Sequence, residues 1–185
     1  MPSKFLKNRI QLNFVIVHVS NEEILEIINS LGNKSSGPYS VPLKLLSLIP
    51  DLIIFPLAHI INISFLTGEY PELLKIVKVI PIHKGGSTQN LNNYRPISLL
   101  SIFDKIIEKI MHKKLYNFLE EHNILYQNQF GFRKSNSTVY ALTQITEMIK
   151  TTIDKGKYGC GIFIDLRKAF DTVNHKILLG KEEIC

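Results

Sequence analysis

The segment Ile162-Phe-Ile-Asp-Leu-Arg-Lys-Ala-Phe-Asp171 places an acidic residue near the end of a short apolar run. Residues 161–166 are typical of a β-strand, because short apolar runs rich in isoleucine and phenylalanine favour strands. Burying an unpaired carboxylate there is unfavourable. Asp165 therefore indicates a site for a divalent cation, since Mg²⁺ sites for nucleotide phosphates use one or two carboxylates. The alternative is that Asp165 only caps the following turn, and the spacing alone leaves both interpretations open.

Asp171 is interpreted as a helix N-cap, because the residues that follow it, 172–178, can start a helix. No histidine pair in the chain has the spacing of a metal site. The nearest two, His112 and His122, are ten residues apart, so we interpret the histidines as structural or solvated.

A β-hairpin is predicted upstream of this segment. Residues 77–82 alternate and are β-branched, residues 94–100 are again strand-like, and the polar loop between them contains two glycines. Lys84 and Arg95 then lie at the same loop end. Both residue types bind phosphate, lysine as a point charge and arginine as a forked donor. Taken alone, two solvated charges beside a turn are the simpler interpretation.

Helices account for most of the remaining sequence. A capping box at Ser20 to Glu23 predicts a helix that ends near Gly32. Two apolar helices divided near Pro50 follow, and amphipathic patterns predict helices over residues 102–121 and 138–153, the second capped by Ser137. A Gly131-Phe-Arg-Lys134 cluster precedes that last helix. Helices with one hairpin and one further strand make this an α+β chain.

Composition limits the classes of function. The 185 residues are 45% hydrophobic and 21% charged, as in folded globular proteins. Lys plus Arg exceed Asp plus Glu by 22 to 16, which favours a polyanionic partner only weakly. The two cysteines have neither metal-ligand nor disulfide spacing and indicate a reduced, intracellular setting. No secretory signal is evident near the N-terminus. The apolar stretch 41–66 is interrupted by charges and prolines, so it predicts buried helices and no membrane span.

Several short motifs carry a resemblance to a known family. The chain resembles the reverse transcriptases of retrotransposons without long terminal repeats, on strings that occur in the family's order over residues 14–179. The strings are Lys34-Ser-Ser-Gly-Pro38, Gly68-Glu-Tyr-Pro71 with Lys75, Val79-Ile-Pro-Ile-His-Lys84, Asn93-Tyr-Arg-Pro-Ile-Ser-Leu-Leu100, Gln129-Phe-Gly-Phe-Arg133 with Ser137-Thr138, and Phe163-Ile-Asp-Leu-Arg-Lys-Ala-Phe-Asp171 with His175.

The resemblance implies the right-hand fold of fingers, palm and thumb. Residues 1–13 would be an N-terminal tail, and 14–155 the fingers with an N-terminal extension, mainly helical with a hairpin. Residues 156–185 would begin the palm with its first strand. The sequence departs from the family at Tyr39, where aspartate is usual. It also stops before the family's Tyr/Phe-x-Asp-Asp loop, so we expect a truncated polymerase.

Roles for individual residues follow from the same resemblance. Asp165 matches the first metal-binding aspartate, which would be catalytic, and the main-chain carbonyl of Leu166 would be a further metal ligand. Lys84 and Arg95 match residues that hold the triphosphate, and Phe170 matches the aromatic beneath the incoming sugar. The positions matched to template or nucleotide contacts are Arg133, Gln129 and Lys134.

The expected function is that of an RNA-directed DNA polymerase, a nucleotidyltransferase that copies retrotransposon RNA into DNA. The complete enzyme would use two Mg²⁺ ions, an RNA template, a DNA primer and dNTPs, in the cytoplasm and nucleus and without a membrane. Since Asp165 supplies only part of the metal site, we expect this chain to be inactive alone. The alternatives are a non-catalytic nucleic-acid-binding module and a misfolded remnant of a decayed element.

Overall fold

The computed structural model describes residues 14–32, 37–38, 41–166, 169 and 172–182. The chain divides into two compact units, one of Phe14–Phe118 and one that contains the residues from Leu119 onward. Three positions singled out in the sequence, Tyr39, Phe170 and Asp171, lie outside the described residues. The helices and the two strands come in the order α1 (Asn21–Ser30), α2 (Leu43–Leu48), α3 (Pro50–Thr67), β1 (Lys78–His83), β2 (Tyr94–Leu99), α4 (Ile102–Glu121), α5 (Thr138–Asp154) and α6 (His175–Glu182).

α1 begins where the capping signal predicts. The Ser20 hydroxyl accepts a hydrogen bond from the Glu23 backbone N–H at 3.3 Å, which satisfies one of the free donors of the first turn. The helix ends at Ser30 with Leu31 as its C-cap, so Gly32 lies just beyond the cap. In the extended segment before α1, Val19 bonds to the Asn62 side chain of α3 through both its N–H (2.7 Å) and its carbonyl (3.0 Å).

α3 is mostly apolar. It starts with Pro50 in its first turn, contains Pro56, and ends at Gly68 in the left-handed region (φ 70°) that glycine adopts most readily. By length and composition alone α3 could cross a membrane, but the core helix of a globular protein passes the same test. One face of α3 packs into the core, but Leu52, Phe55 and Leu66 are 69 to 88% exposed, so the predicted burial of this segment holds for that face only.

The core of the first unit joins α1, α2, α3 and α4 through apolar side chains at helical spacing. Along α4 these are Ile102, Ile106, Ile107 and Ile110, which confirms the predicted amphipathic face. The other buried members are Val19, Ile24, Ile27, Ile28, Leu31, Leu46, Ile54, Leu57, Ala58 and Ile61. Burial of one such side chain stabilises a fold by roughly 1.5 to 3 kcal/mol.

β1 and β2 form the predicted antiparallel hairpin. Its register pairs Lys78 with Leu99 at the root and His83 with Tyr94 near the loop. All six residues of β1 and the four central residues of β2 are exposed. The hairpin is therefore held by its own ladder of hydrogen bonds and by its root, and the described residues of its own unit cover neither of its faces.

Beyond Phe118, α5 is capped by the Ser137 hydroxyl, which accepts from Tyr140 N–H at 3.3 Å and confirms the predicted cap. α6 begins at His175, where the Asn174 side chain accepts from the N–H groups of Lys176 and Ile177. The predicted start of this helix at Thr172 is therefore wrong, while Asp171 itself lies outside the described residues. Asn174 is another strong N-cap former and stands immediately before the helical residues.

The strand predicted over residues 161–166 is also wrong. Residues 157–166 have no regular secondary structure, and the apolar side chains of Ile162, Phe163, Ile164 and Leu166 are 68 to 91% exposed. A β-strand needs backbone hydrogen bonds from a neighbouring strand, and the sheet formed by the described residues consists of β1 and β2. An apolar run therefore does not become a strand without a partner.

Candidate functional site

Lys84 and Arg95 lie on the same face of the hairpin. The Lys84 N–H bonds to the Asn93 carbonyl at 2.8 Å and so extends the ladder by one step beyond β1. Arg95 stands opposite Ile82. Residues two apart share a face, so the two cations are diagonal neighbours, close enough for their long side chains to reach the same ligand. Both residues therefore lie at the loop end of the hairpin, as predicted, and the register puts them on one face.

Both cations are exposed and available. Within the part of the chain that the structure describes, neither side chain makes an ion pair or a hydrogen bond. Two neighbouring cations without a counter-ion repel each other and attract an anion that can bridge them. A polyphosphate has the charge and the length to contact both.

The loop that joins the strands is fastened by hydrogen bonds. Asn93 Nδ2 donates to the Ser87 carbonyl at 2.9 Å, and the Tyr94 hydroxyl donates to the Thr88 carbonyl at 2.8 Å. Gly85 and Gly86 have positive φ angles of 115° and 83°, and a Cβ on Gly86 would come within 2.7 Å of Asn93 Nδ2. The glycines therefore let the loop close against Asn93, next to the two cations.

A buried carboxylate lies at the root of the hairpin. Asp104, which is 1% exposed, accepts hydrogen bonds from the Ser101 N–H (3.1 Å) and hydroxyl (2.7 Å) through Oδ2, and from the Tyr70 hydroxyl (2.7 Å) through Oδ1. The Ser101 hydroxyl also accepts from the Asp104 N–H at 3.2 Å. Ser101 and Asp104 thus form a capping box at the start of α4, and Tyr70 joins it from the segment before β1.

Gly37 packs directly on the same root. A Cβ at this buried glycine would come within 2.5 Å of the Leu100 carbonyl carbon and oxygen and within 2.6 Å of the Ser101 nitrogen. Real Cβ atoms do not approach backbone this closely, so glycine alone fits. The Lys34 to Pro38 motif therefore has a steric reason for its glycine.

The Tyr70 phenol gives a testable pH dependence. Its burial raises the pKa of Tyr70 above the ordinary value of 10.0, and the hydrogen bond and charge of Asp104 add to this. On a rise in pH the unfolded chain releases this proton first, so the contribution is complete below pH 10 and decreases above it. We expect the free energy of unfolding, measured by urea titration, to fall above pH 10 more steeply in the wild type than in Tyr70→Phe. Parallel pH profiles for the two proteins would contradict this.

Arg133 is held in place by a fork of hydrogen bonds in the second unit. Its Nε and Nη2 donate to the two carboxylate oxygens of Glu120 at 2.9 and 2.8 Å, and its Nη1 donates to the Tyr126 carbonyl at 3.1 Å. The Gln129 side chain donates to the Gly131 carbonyl at 3.2 Å, and the Gln129 carbonyl accepts from Asn136. Arg133 thus organises the connection between α4 and α5. The template contacts of Arg133, Gln129 and Lys134 stay predictions.

Asp165 and Leu166 are both exposed. A carboxylate and a main-chain carbonyl are oxygen ligands of the kind that Mg²⁺ prefers, so they fit as part of a site. Among the described residues, however, no three His, Cys, Asp or Glu side chains are grouped to hold a metal ion. Asp165 and the Leu166 carbonyl can therefore contribute part of a metal site, and the described residues do not supply a complete one.

The residues that meet at the root of the hairpin, Tyr70, Ser101 and Asp104, were not predicted from the sequence as part of the site. A Ser-x-x-Asp signal before an apolar run predicts a capping box, and it was present at Ser101 to Asp104. No local pattern predicts the bond of Tyr70, which is 34 residues from Asp104 in the chain. The Glu120 partner of Arg133 had no sequence signal either.

Comparisons with known proteins bear on the same residues. Residues 82–183 match the family model described as reverse transcriptase (RNA-dependent DNA polymerase). The chain belongs to the reverse transcriptase family. The match contains Lys84, Arg95, Arg133 and Asp165, so all four lie in the reverse transcriptase region of the chain.

Individual relatives are polymerases of transposable elements. The chain is 35% identical over 178 residues to the probable RNA-directed DNA polymerase from transposon BS of Drosophila melanogaster. It is 30% identical over 180 residues to the RNA-directed DNA polymerase from mobile element jockey of the same fly. These alignments cover 95 and 96% of this chain. A Pol polyprotein from type-1 retrotransposable element R2 of Popillia japonica is 26% identical over 63% of the chain. The chain spans about a fifth of the length of the first two relatives, 20% in each case.

Proposed function

We propose that this chain is the fingers portion of an RNA-directed DNA polymerase and that its hairpin holds the triphosphate of the incoming dNTP. The observation that carries the proposal is the pair of exposed cations, Lys84 and Arg95, on one face at the loop end of the hairpin. In the whole protein, RNA is the template, DNA the primer, and the reaction a nucleotidyl transfer. Residues 14–155 would be the fingers, and the following residues would begin the palm.

The two cations have separate tasks in this mechanism. The ammonium of Lys84 would neutralise charge on the phosphate chain, while the guanidinium of Arg95 would donate two parallel hydrogen bonds and set the orientation of the chain. Holding the nucleotide in one orientation lowers the entropic barrier to attack by the primer hydroxyl. The fixed loop beside Asn93 keeps both residues at one end of the hairpin, so less conformational freedom is lost on binding.

Asp165, with the Leu166 carbonyl, would hold part of the Mg²⁺ pair that activates the attacking hydroxyl and stabilises the leaving pyrophosphate. The resemblance to the family implies that Phe170 would lie beneath the sugar of the incoming nucleotide. Arg133, Gln129 and Lys134 would face the template side. The bidentate pair with Glu120 gives Arg133 the further task of fixing the loop that carries these residues.

The proposed function makes a prediction for primer extension on an RNA template with Mg²⁺. The chain alone should incorporate no nucleotide above a no-protein control, because it contributes a single carboxylate to the metal pair. Joined to the palm and thumb of a related polymerase, the chain should incorporate dNTPs. Asp165→Ala should lower the incorporation rate of this joined enzyme by at least about a thousandfold. Incorporation by the chain alone that is lost in Asp165→Ala would contradict the first part. A joined enzyme indifferent to Asp165→Ala would contradict the second.

A second candidate is a nucleic-acid-binding module without catalysis. The exposed, irregular course of residues 161–166 favours it, since Asp165 is not presented on a rigid strand. Such a module would bind RNA more weakly as salt is added, and the logarithm of its binding constant would fall linearly with the logarithm of the salt concentration. RNA binding of this kind, combined with an inactive joined enzyme, would favour the module over the polymerase.

A further inference from the structure

The hairpin that carries Lys84 and Arg95 is attached to its unit mainly at its root. β1 is exposed along its whole length, and only the end residues of β2, Tyr94 and Leu99, are half-buried. A two-stranded hairpin with two uncovered faces is marginally stable by itself. Its direction therefore depends on how its two ends are fixed.

The segments before and after the hairpin bond to the same carboxylate. Tyr70 lies eight residues before β1, ahead of a short 3-10 helix (Glu72–Lys75), and its hydroxyl donates to Asp104 Oδ1 at 2.7 Å. Ser101 follows β2, and its N–H and hydroxyl donate to Asp104 Oδ2. Hydrogen bonds to an ionised acceptor in a buried setting are among the stronger ones in proteins. The segment that enters the hairpin and the segment that leaves it are thus joined at one point.

We propose that Asp104 is a positioning residue that fixes the root of the hairpin and so aligns Lys84 and Arg95. The alignment part of this proposal rests on the proposed function of the hairpin. Two short motifs of the sequence meet at this root: Tyr70 comes from the Gly68 to Pro71 motif, and Gly37 of the Lys34 to Pro38 motif packs on Leu100 and Ser101. A third, the Asn93 to Leu100 motif, is the outgoing strand itself.

Helix capping alone does not account for the arrangement. The capping box uses Oδ2 of Asp104 and the two polar groups of Ser101, and it would be complete without Tyr70. The bond from Tyr70 to Oδ1 is the part that crosses to the incoming segment. A variant that lacks only the Tyr70 bond therefore tests how the hairpin is anchored without changing the cap of α4.

The test compares two variants of the full chain, each of which loses one hydroxyl bonded to Asp104. Tyr70→Phe removes the cross-connection and keeps the capping box. Ser101→Ala removes part of the capping box and keeps both the Tyr70 bond and the Ser101 N–H bond. Amide hydrogen exchange is measured for the hairpin, including Lys84 N–H, with the α1 amides as the reference for global unfolding.

Tyr70→Phe should speed exchange of the hairpin amides about tenfold more than that of the α1 amides, because a bond to a charged acceptor is lost locally. Ser101→Ala should change hairpin and α1 amides in parallel. Equal acceleration of both regions in Tyr70→Phe, or no acceleration of the hairpin, would overturn the proposal.

The same exchange measurement with added Mg²⁺·dTTP tests the triphosphate site separately from the anchoring role of Asp104. If dTTP slows amide exchange at the hairpin of the wild type but not of Arg95→Ala, the result supports the triphosphate site. Tyr70→Phe should then need several-fold more dTTP than the wild type for the same slowing. If dTTP has no effect on the wild type, the triphosphate site and the alignment role are overturned. The exchange difference between Tyr70→Phe and Ser101→Ala still decides whether Asp104 anchors the hairpin.

Discussion

Gly37→Ala is expected to lower the free energy of unfolding by about 2 to 3 kcal/mol. The added Cβ would lie 2.5 Å from the Leu100 carbonyl and 2.6 Å from the Ser101 nitrogen, and these are backbone atoms that cannot rotate away. Relief requires moving either the Gly37 segment or the junction of β2 and α4. Urea unfolding followed by circular dichroism measures the change.

Gly32→Ala is the matched control for this substitution. A Cβ at Gly32 meets nothing within 4 Å, and its φ is outside the left-handed region. Its stability should be unchanged or higher by about 0.5 kcal/mol, since alanine restricts the unfolded chain. Equal stability of the two variants would show that Gly37 is not tightly packed on the root.

Ile106→Ala should lower the free energy of unfolding by about 3 to 4 kcal/mol, whereas Ile162→Ala should change it by less than about 0.5 kcal/mol. Ile106 is fully buried (0% exposed) and faces the core of the first unit from α4, so its truncation leaves a cavity. Ile162 is 82% exposed. The same unfolding measurement compares the identical chemical change at both sites. A loss above about 1 kcal/mol in Ile162→Ala would mean that residues 161–166 pack as the strand that the sequence predicts.

The elements predicted best are those whose signals are local. The bounds of α4 were predicted to the residue, because its apolar positions recur at helical spacing. The hairpin strands were predicted within one residue, because β-branched alternation and the glycine loop act over short distances. The family assignment was likewise predicted from motifs and is confirmed by the match over residues 82–183.

Residues 161–166 show where local signals fail. Their composition favours a strand, but a strand also requires a partner, and the described residues supply none next to this segment. The helix start predicted at Thr172 was wrong for a related reason, since Asn174 offers a capping side chain two residues later and the helix begins after it.

In the candidate site, too, only the residues brought together by local structure could be predicted. Lys84 and Arg95 could be placed together from the sequence, because hairpin register follows from the strands themselves. Asp104 and Tyr70 could not, since their bond joins segments 34 residues apart and depends on how α4 packs. Arg133 was predicted as a contact for nucleic acid, while its bond to Glu120 depends on the fold of the loop after α4.

The central claim is that Lys84 and Arg95 together bind a triphosphate, and titration of the chain with Mg²⁺·dTTP, followed by backbone amide chemical shifts, tests it most directly. Lys78 is the control, since it is a lysine on the same face of β1 at the root end of the hairpin. Arg95→Ala should weaken binding about tenfold to a hundredfold, as expected for a charge-assisted contact of roughly 1.5 to 3 kcal/mol. Lys78→Ala should stay within about twofold of the wild type, because its charge lies beyond reach of a phosphate at the loop end. Equal weakening by Arg95→Ala and Lys78→Ala, or shifts that avoid the loop end of the hairpin, would contradict the account.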